Sequence, residues 1–157
     1  MNRRSFFDAP LTSLVREAEL RSKAAAVETK TPFDWLGGEA EVVALAHAFY
    51  DAMEAHEPAL TAVHRCSEPG KVDPEVRKRF ALFLVGWLGG PQDYIAQHGH
   101  PRLRMRHAHV PVDQAMRDAW LRSMTRAMDA RNVQGEARAY LDARFADVAN
   151  FLRNVEE

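Results

Sequence analysis

The sequence predicts an all-α fold, and three observations carry that expectation. Apolar residues recur at helical spacing, three, four and seven positions apart, in several separate stretches. Those stretches are punctuated by Thr or Asp followed by Pro at their starts and by Gly-Gly or Gly-Pro at their ends. Nothing alternates apolar and polar residues as the rungs of a strand ladder would.

The elements follow in chain order. Residues 1–30 are polar and alanine-rich; the weak stripe Leu11, Leu14, Val15, Ala18 suggests one short helix in an N-terminal extension. In "TPFDWLGG", Thr31 is placed to cap, Pro32 suits the first helical position and Asp34 stands at the capping-box offset, with Gly37 and Gly38 ending the turn. A helix over about 39–55 carries Val42, Leu45, Ala46, Phe49 and Met53 on one face, with Val43 and Tyr50 beside them. Pro58 and the run "SEPGKVDP" bracket an irregular connection containing Val63, His64 and Cys66. Asp73 and Pro74 then open a helix bearing Val76, Phe80, Phe83, Leu84 and Trp87, which ends at "GGP". Asp113 starts another with Met116, Trp120, Ser123, Met124 and Ala127 inward. Gly135 precedes the last, which bears Ala137, Tyr140, Leu141, Val148, Phe151 and Leu152. The expectation is five or six helices: residues 1–30 as an extension and 31–157 as one domain.

Composition narrows the function. The chain has 157 residues, 46% hydrophobic and 27% charged, the balance of an ordinary globular domain. A net charge of −1 provides no global field to draw in nucleic acid or an anionic membrane. With Cys66 as the only cysteine, a disulfide framework, a CxxC metal knuckle and covalent haem attachment are excluded; Cys66 itself reads as a small apolar residue rather than a redox group. No apolar run approaches the length of a membrane span, and the basic start leads into no signal-like stretch, so the expected location is cytoplasmic.

The stretch "QHGHPRLRMRHAHVP" concentrates His98, His100, His107 and His109 with three arginines. Four readings compete. The histidines are a wet surface turn, as most are. Or they are zinc ligands, although alternate residues in a loop do not converge unaided and no carboxylate or thiol lies near in sequence. Or Arg102, Arg104 and Arg106 contact phosphates, although no stacking aromatics interleave with them. Or a single histidine holds haem iron while the cations beside it pair with the propionates. Composition alone does not separate the last from an ordinary helical core.

The strings "GGEAEVVALAHAFYDAM", "FLVGWLGGPQDYIAQHGHPRLRMRHAHVPV" and "RDAWLRSMTRAMDA" resemble the group II truncated haemoglobins of bacteria, two-over-two α-helical globins. The similarity runs from Thr31 to the C-terminus. It implies a non-covalent haem b with His107, in "RMRH", as the iron ligand. It also implies Trp120, Tyr50 and His64 on the ligand side, with Val76, Phe80 and Phe83 walling the pocket and Arg106 and Tyr94 near the propionates. His98, His100 and His109 have no role at the iron by this comparison.

The function implied is binding of dioxygen and related ligands (nitric oxide, carbon monoxide or peroxide) at a five-coordinate iron. Three donors are expected on the distal side: the Tyr50 hydroxyl, the Trp120 indole N–H and an N–H of His64. Their combined grip implies slow oxygen release, and hence redox chemistry such as nitric-oxide dioxygenase or peroxidase-like detoxification. The alternative is a non-catalytic haem-based sensor or redox partner. A reductase of unspecified identity and a homodimer are among the expected partners; nucleic acid and membrane are not.

Overall fold

The structure, a computed structural model, describes residues 11–28 and 30–156. The chain divides after Lys30 into two units. In the first, α1 runs over Leu11–Glu28 as a single helix, longer than its short apolar stripe suggests.

The second unit opens as its capping residues dictate. The Asp34 carboxylate accepts from the Thr31 backbone N–H at 3.1 Å and from its hydroxyl at 3.2 Å, starting α2 (Pro32–Leu36). Gly37 ends it in the left-handed region at φ 106, donating its N–H to the Asp34 carbonyl at 3.1 Å. The short α2 crosses the end of a later helix, where Phe33 N–H reaches the Leu88 carbonyl at 3.0 Å. There Gly90 has no substitute: a Cβ would stand 2.5 Å from the Phe33 ring and 2.9 Å from the Val85 carbonyl.

Two helix pairs form the body. α3 (Glu39–His56) lies beside α5 (Pro74–Trp87), and α8 (Gln114–Ala130) beside α9 (Gly135–Leu152), with α3 also packed along α8. This is the two-over-two arrangement. Val42, Leu45, Ala46, Phe49 and Met53 of α3 are all buried, as their spacing predicts, and face Met124, Ala127 and Met128 of α8. Ser123 is tolerated at the centre because its hydroxyl donates to the Ala119 carbonyl at 2.9 Å. Asp73 and Asp113 cap α5 and α8, accepting from Glu75 N–H and Met116 N–H, each at 2.8 Å.

The structure departs from the sequence reading in four places. Nine helices are present among the described residues, because α2, α4 (Pro58–Ala62), α6 (Asp93–His98) and α7 (Leu103–His107) are of one turn or little more. So short a helix shows no period and is held by its neighbours. The "irregular" connection contains a small antiparallel hairpin, β1 (Cys66–Glu68) and β2 (Lys71–Val72), turning at Gly70 with φ 77. On α5 the buried side chains are Ala81, Leu84 and Val85, while Val76, Phe80, Phe83 and Trp87 are only half-buried. On α9, Tyr140 and Phe151 are exposed, Tyr140 lying edge-on to Trp35 at 5.4 Å and Phe151 lying under the Arg104 guanidinium at 4.9 Å. The inward aromatic of α9 is Phe145, stacked on Trp87 at 5.5 Å and set against Trp120 at 5.7 Å.

One half-buried ion pair ties the hairpin to both helices of the first pair. Glu54 accepts from Val72 N–H at 2.9 Å and from Arg77 at 2.7 Å, and Arg77 also reaches Asp51 at 2.9 Å. Burial pushes the Glu54 carboxyl up, but the hydrogen bonds from Arg77 and Val72 outweigh it and leave the group below its ordinary value. A depressed carboxylate stabilises the fold above its unfolded pKa and loses that contribution as pH falls through the folded one. Glu54→Gln is therefore expected to cost roughly 1.5–3 kcal/mol near neutral pH. The gap to the wild type should close as pH falls below the carboxylate range, measured by denaturant unfolding across pH. A gap that stays constant with pH would show that the charge contributes nothing.

Candidate functional site

Between the helix pairs lie two adjoining cavities, of about 250 and 390 Å³. They share one wall made of His64, Val76, Arg79, Arg106, His107, Trp120, Val148 and Leu152. The smaller is closed by Phe49, Tyr50, Phe80, Phe83, Tyr94 and Leu103; the larger runs on past Leu60, Val110, Val112, Met116 and Ala149. All nine residues singled out in the sequence (Tyr50, His64, Val76, Phe80, Phe83, Tyr94, Arg106, His107 and Trp120) line this one space. They come from α3, the turn after α4, α5, α6, α7 and α8.

His107 closes the one-turn helix α7. Its ring nitrogen Nδ1 lies 2.7 Å from the Leu103 carbonyl, one turn back. A carbonyl only accepts, so Nδ1 carries a proton, and in the neutral ring the lone pair is on Nε2. That tautomer, with a backbone carbonyl fixing the ring, is the one in which histidine ligates a metal ion through Nε2. Before α7 the backbone is forced through the left-handed region at Arg102, φ 46, and the Arg102 N–H donates to His100 Nδ1 at 3.1 Å. His100 therefore braces a turn. His98 lies against the Tyr94 ring at 5.1 Å, and His109 sits at the edge of the larger cavity. Among the described residues no three His, Cys, Asp or Glu side chains are grouped to hold a metal ion, so the zinc reading has no geometry behind it.

His64 repeats the local pattern of His107. It follows α4, and its Nδ1 lies 2.9 Å from the Leu60 carbonyl, again four residues back. Burial pushes its pKa below the ordinary histidine value, and charge on His107 adds to that, against the hydrogen bond to Leu60. Neutral His64 therefore has its one N–H occupied and turns a lone pair, not a donor, to the rest of the molecule. The sequence reading expected a donor from His64; the ring as placed spends its Nδ1–H on the Leu60 carbonyl.

Tyr50 and Trp120 remain. Tyr50 is buried, edge-on to His64 at 5.8 Å and to Phe80 at 5.5 Å, with the Arg77 guanidinium 5.4 Å from its ring centre. Burial raises its phenol pKa well above the ordinary value, Arg77 opposing, so the hydroxyl stays a donor at any physiological pH. Trp120 is half-buried, wedged between Phe49 at 5.2 Å and Phe145 at 5.7 Å. Phe80 bridges the pocket wall, 5.2 Å from Phe49 and 6.4 Å from Phe83.

The rim is cationic. Arg79 and Arg106 border both cavities, Arg65 and Arg117 the larger, and neither lining contains a carboxylate. Arg65 is paired with Asp73 and Arg117 with Asp118, whereas Arg106 has its guanidinium 6.0 Å from the centre of the Tyr94 ring. The sequence reading missed Arg79, Val148, Leu152 and Leu103. Arg79 is legible in retrospect, three positions beyond Val76 and four before Phe83 on one face of α5. Val148 and Leu152, one turn apart on α9, read as ordinary core.

Residues 31–154 match the family model of bacterial-like globins. Over 126 residues the chain is 35% identical to the group 2 truncated hemoglobin YjbI of Bacillus subtilis (strain 168), covering 80% of this chain and 90% of that protein. Among solved structures it is similar to the cold-adapted truncated hemoglobin of Pseudoalteromonas haloplanktis TAC125, at 38% identity and TM-score 0.74, over 81% of this chain and 100% of the other. It is similar also to the truncated oxygen-avid haemoglobin of Bacillus subtilis, at 34% identity and TM-score 0.70, over 80% and 100%.

Tyr50 is expected to ionise later than an ordinary phenol, whose pKa is about 10. In a spectrophotometric tyrosinate titration, Tyr50→Phe should delete the latest-ionising component. Deletion of a component at ordinary pH would show the phenol to be solvated.

Proposed function

Because the chain belongs to the bacterial-like globins, as a group II truncated haemoglobin whose family holds a non-covalent haem b and binds dioxygen and related gases, we propose that the cavity between the helix pairs is its haem site and that His107 is the axial ligand. The observation that carries the reading is the His107 ring, locked by Leu103 in the tautomer that frees Nε2, in a space walled by apolar and aromatic side chains. The fit extends to charge. A flat apolar ring with two carboxylates at one edge meets apolar walls here and cations at the rim, with Arg79 and Arg106 the side chains to pair with those carboxylates. The globin unit is residues 31–157, with 1–30 an extension to it.

Bound haem supplies an open coordination position for a diatomic molecule and the redox chemistry of its iron. The chain's own contribution comes from the polar side chains that line the same cavity as His107. The Tyr50 hydroxyl and the Trp120 indole would donate hydrogen bonds to a ligand that draws negative charge, beside the apolar side chains of Phe80 and Val76, where each bond is stronger than in water. His64, neutral and with its lone pair free, accepts from a protonated ligand or water. Two donors make for slow release, and slow release suits a protein that reacts the gas, as in removal of nitric oxide or peroxide, better than one that carries it. The resemblance to an oxygen-avid relative supports the same direction. An electron donor and a homodimeric assembly belong to this proposal.

Purified protein is expected to show a Soret band that shifts when it is reduced and exposed to carbon monoxide, and His107→Ala to lose it, with added imidazole restoring it in part. A preparation that takes up no added haemin overturns the reading. Each buried donor contributes roughly 1–3 kcal/mol, so Tyr50→Phe and Trp120→Leu should each speed oxygen release by about ten- to a hundredfold, read by stopped flow. His64→Leu is expected to change it less. Oxygen release unchanged in both donor variants would reject the distal assignment.

A further inference from the structure

The segment from His107 to Val112 leaves α7 and runs to the start of α8 with little local hydrogen bonding: turn bonds from Ala108 N–H to the Met105 carbonyl at 3.3 Å and from Val110 N–H to the His107 carbonyl at 3.0 Å. One residue from elsewhere supplies the rest. Asn154, two positions past the end of α9, donates through Nδ2 to the His107 carbonyl at 3.1 Å and to the Val110 carbonyl at 2.9 Å. Its Oδ1 accepts from Val112 N–H at 2.8 Å, and its own backbone N–H donates to the Val112 carbonyl at 3.0 Å. Both side-chain N–H groups and the carbonyl oxygen are engaged, so a flipped amide would set donor against donor and acceptor against acceptor.

We propose that Asn154 is a positioning residue for His107, a clamp from the C-terminal end of the chain that fixes the backbone of the axial ligand. The proposal rests on His107 being that ligand. Two restraints then act on one residue: the Leu103 carbonyl fixes the ring, and Asn154 fixes the main chain that carries it. α7 has five residues and begins at a left-handed Arg102, so it does not hold His107 rigidly by itself. The clamp couples it to α9, whose Val148 and Leu152 wall the same cavity. The residues after α9 thus complete the site rather than trail from it.

The test compares Asn154→Ala and Asn154→Asp with the wild type, and with Arg138→Ala as a control that loosens the far end of α9, where Arg138 holds Asp129 at 2.8 Å. Two readouts are taken: amide hydrogen exchange across residues 107–112, and, in the haem-loaded ferrous protein, the iron–histidine stretching band with the rate of haem loss. Asn154→Ala should speed exchange at Val110 and Val112, shift or broaden the band, and speed haem loss by roughly ten- to a hundredfold. Asn154→Asp keeps the acceptor for Val112 N–H but loses both donors, so it should protect Val112 and still perturb the band. Arg138→Ala should lower thermal stability without moving the band. The proposal is overturned if Asn154→Ala leaves both exchange and the band unchanged, or moves them no more than Arg138→Ala does. A wild type that takes up no haem would instead sink the functional reading, and exchange in the protein as purified would still decide whether the clamp exists.

Discussion

One hydrogen bond decides what the cavity is able to do: from Nδ1 of His107 to the Leu103 carbonyl, at 2.7 Å. It fixes which ring nitrogen is bare. Without it the imidazole has two tautomers and a free ring torsion, and the lone pair is not committed to any direction. The bond is local, four residues back along one helical turn, but the turn itself is not self-supporting. α7 packs on α9, its entry is strained at Arg102 and braced by His100, and its exit is held by Asn154. The reach of the fold is therefore visible in a contact that spans five residues.

The opposite wall uses the same local device to a different end. His64 and Leu60 repeat the spacing of His107 and Leu103, and each histidine sits just at or beyond the end of a one-turn helix. Both turn Nδ1 to a backbone carbonyl and leave Nε2 on the other side of the ring. What separates them is company. His64 stands against Tyr50, and the hairpin after it is pinned by Glu54 and Arg77, which also places a guanidinium over the Tyr50 ring. The other polar hydrogens on that side belong to the Tyr50 phenol and the Trp120 indole, whose rings are held by Phe49, Phe80 and Phe145.

Electrostatics divide the molecule in the same way. The chain as a whole is nearly neutral, with 21 basic and 22 acidic residues. Its acidic groups are used as caps and as partners: Asp73 and Asp113 at helix starts, Glu54 and Glu57 gripping arginines of α5 and α8. Among the described residues no acidic group lines the cavity, while four arginines border it. A net charge near zero conceals this arrangement, because the sum carries no information about where the charges sit.

The helices that bury a continuous face, α3, α8 and most of α5 and α9, were determined by the sequence alone, since apolar spacing and caps are local and these elements are long enough to show a period. The pattern quoted in "RMRH" and "RDAW" likewise brought His107 and Trp120 together on paper through resemblance, as it did the haem cofactor. Tertiary structure alone decided the rest. Phe151 and Tyr140 carry the helical spacing of α9 yet lie outside, because a period fixes a face but not the neighbour that covers it. Phe145 takes the inward place, Arg79 joins the rim, and the tautomers of His64 and His107 are settled by carbonyls whose direction no residue letter encodes. Asn154 is the plainest case. An asparagine near a chain end carries no local signal, and its importance comes wholly from a loop more than forty positions away that folding brings within 3 Å.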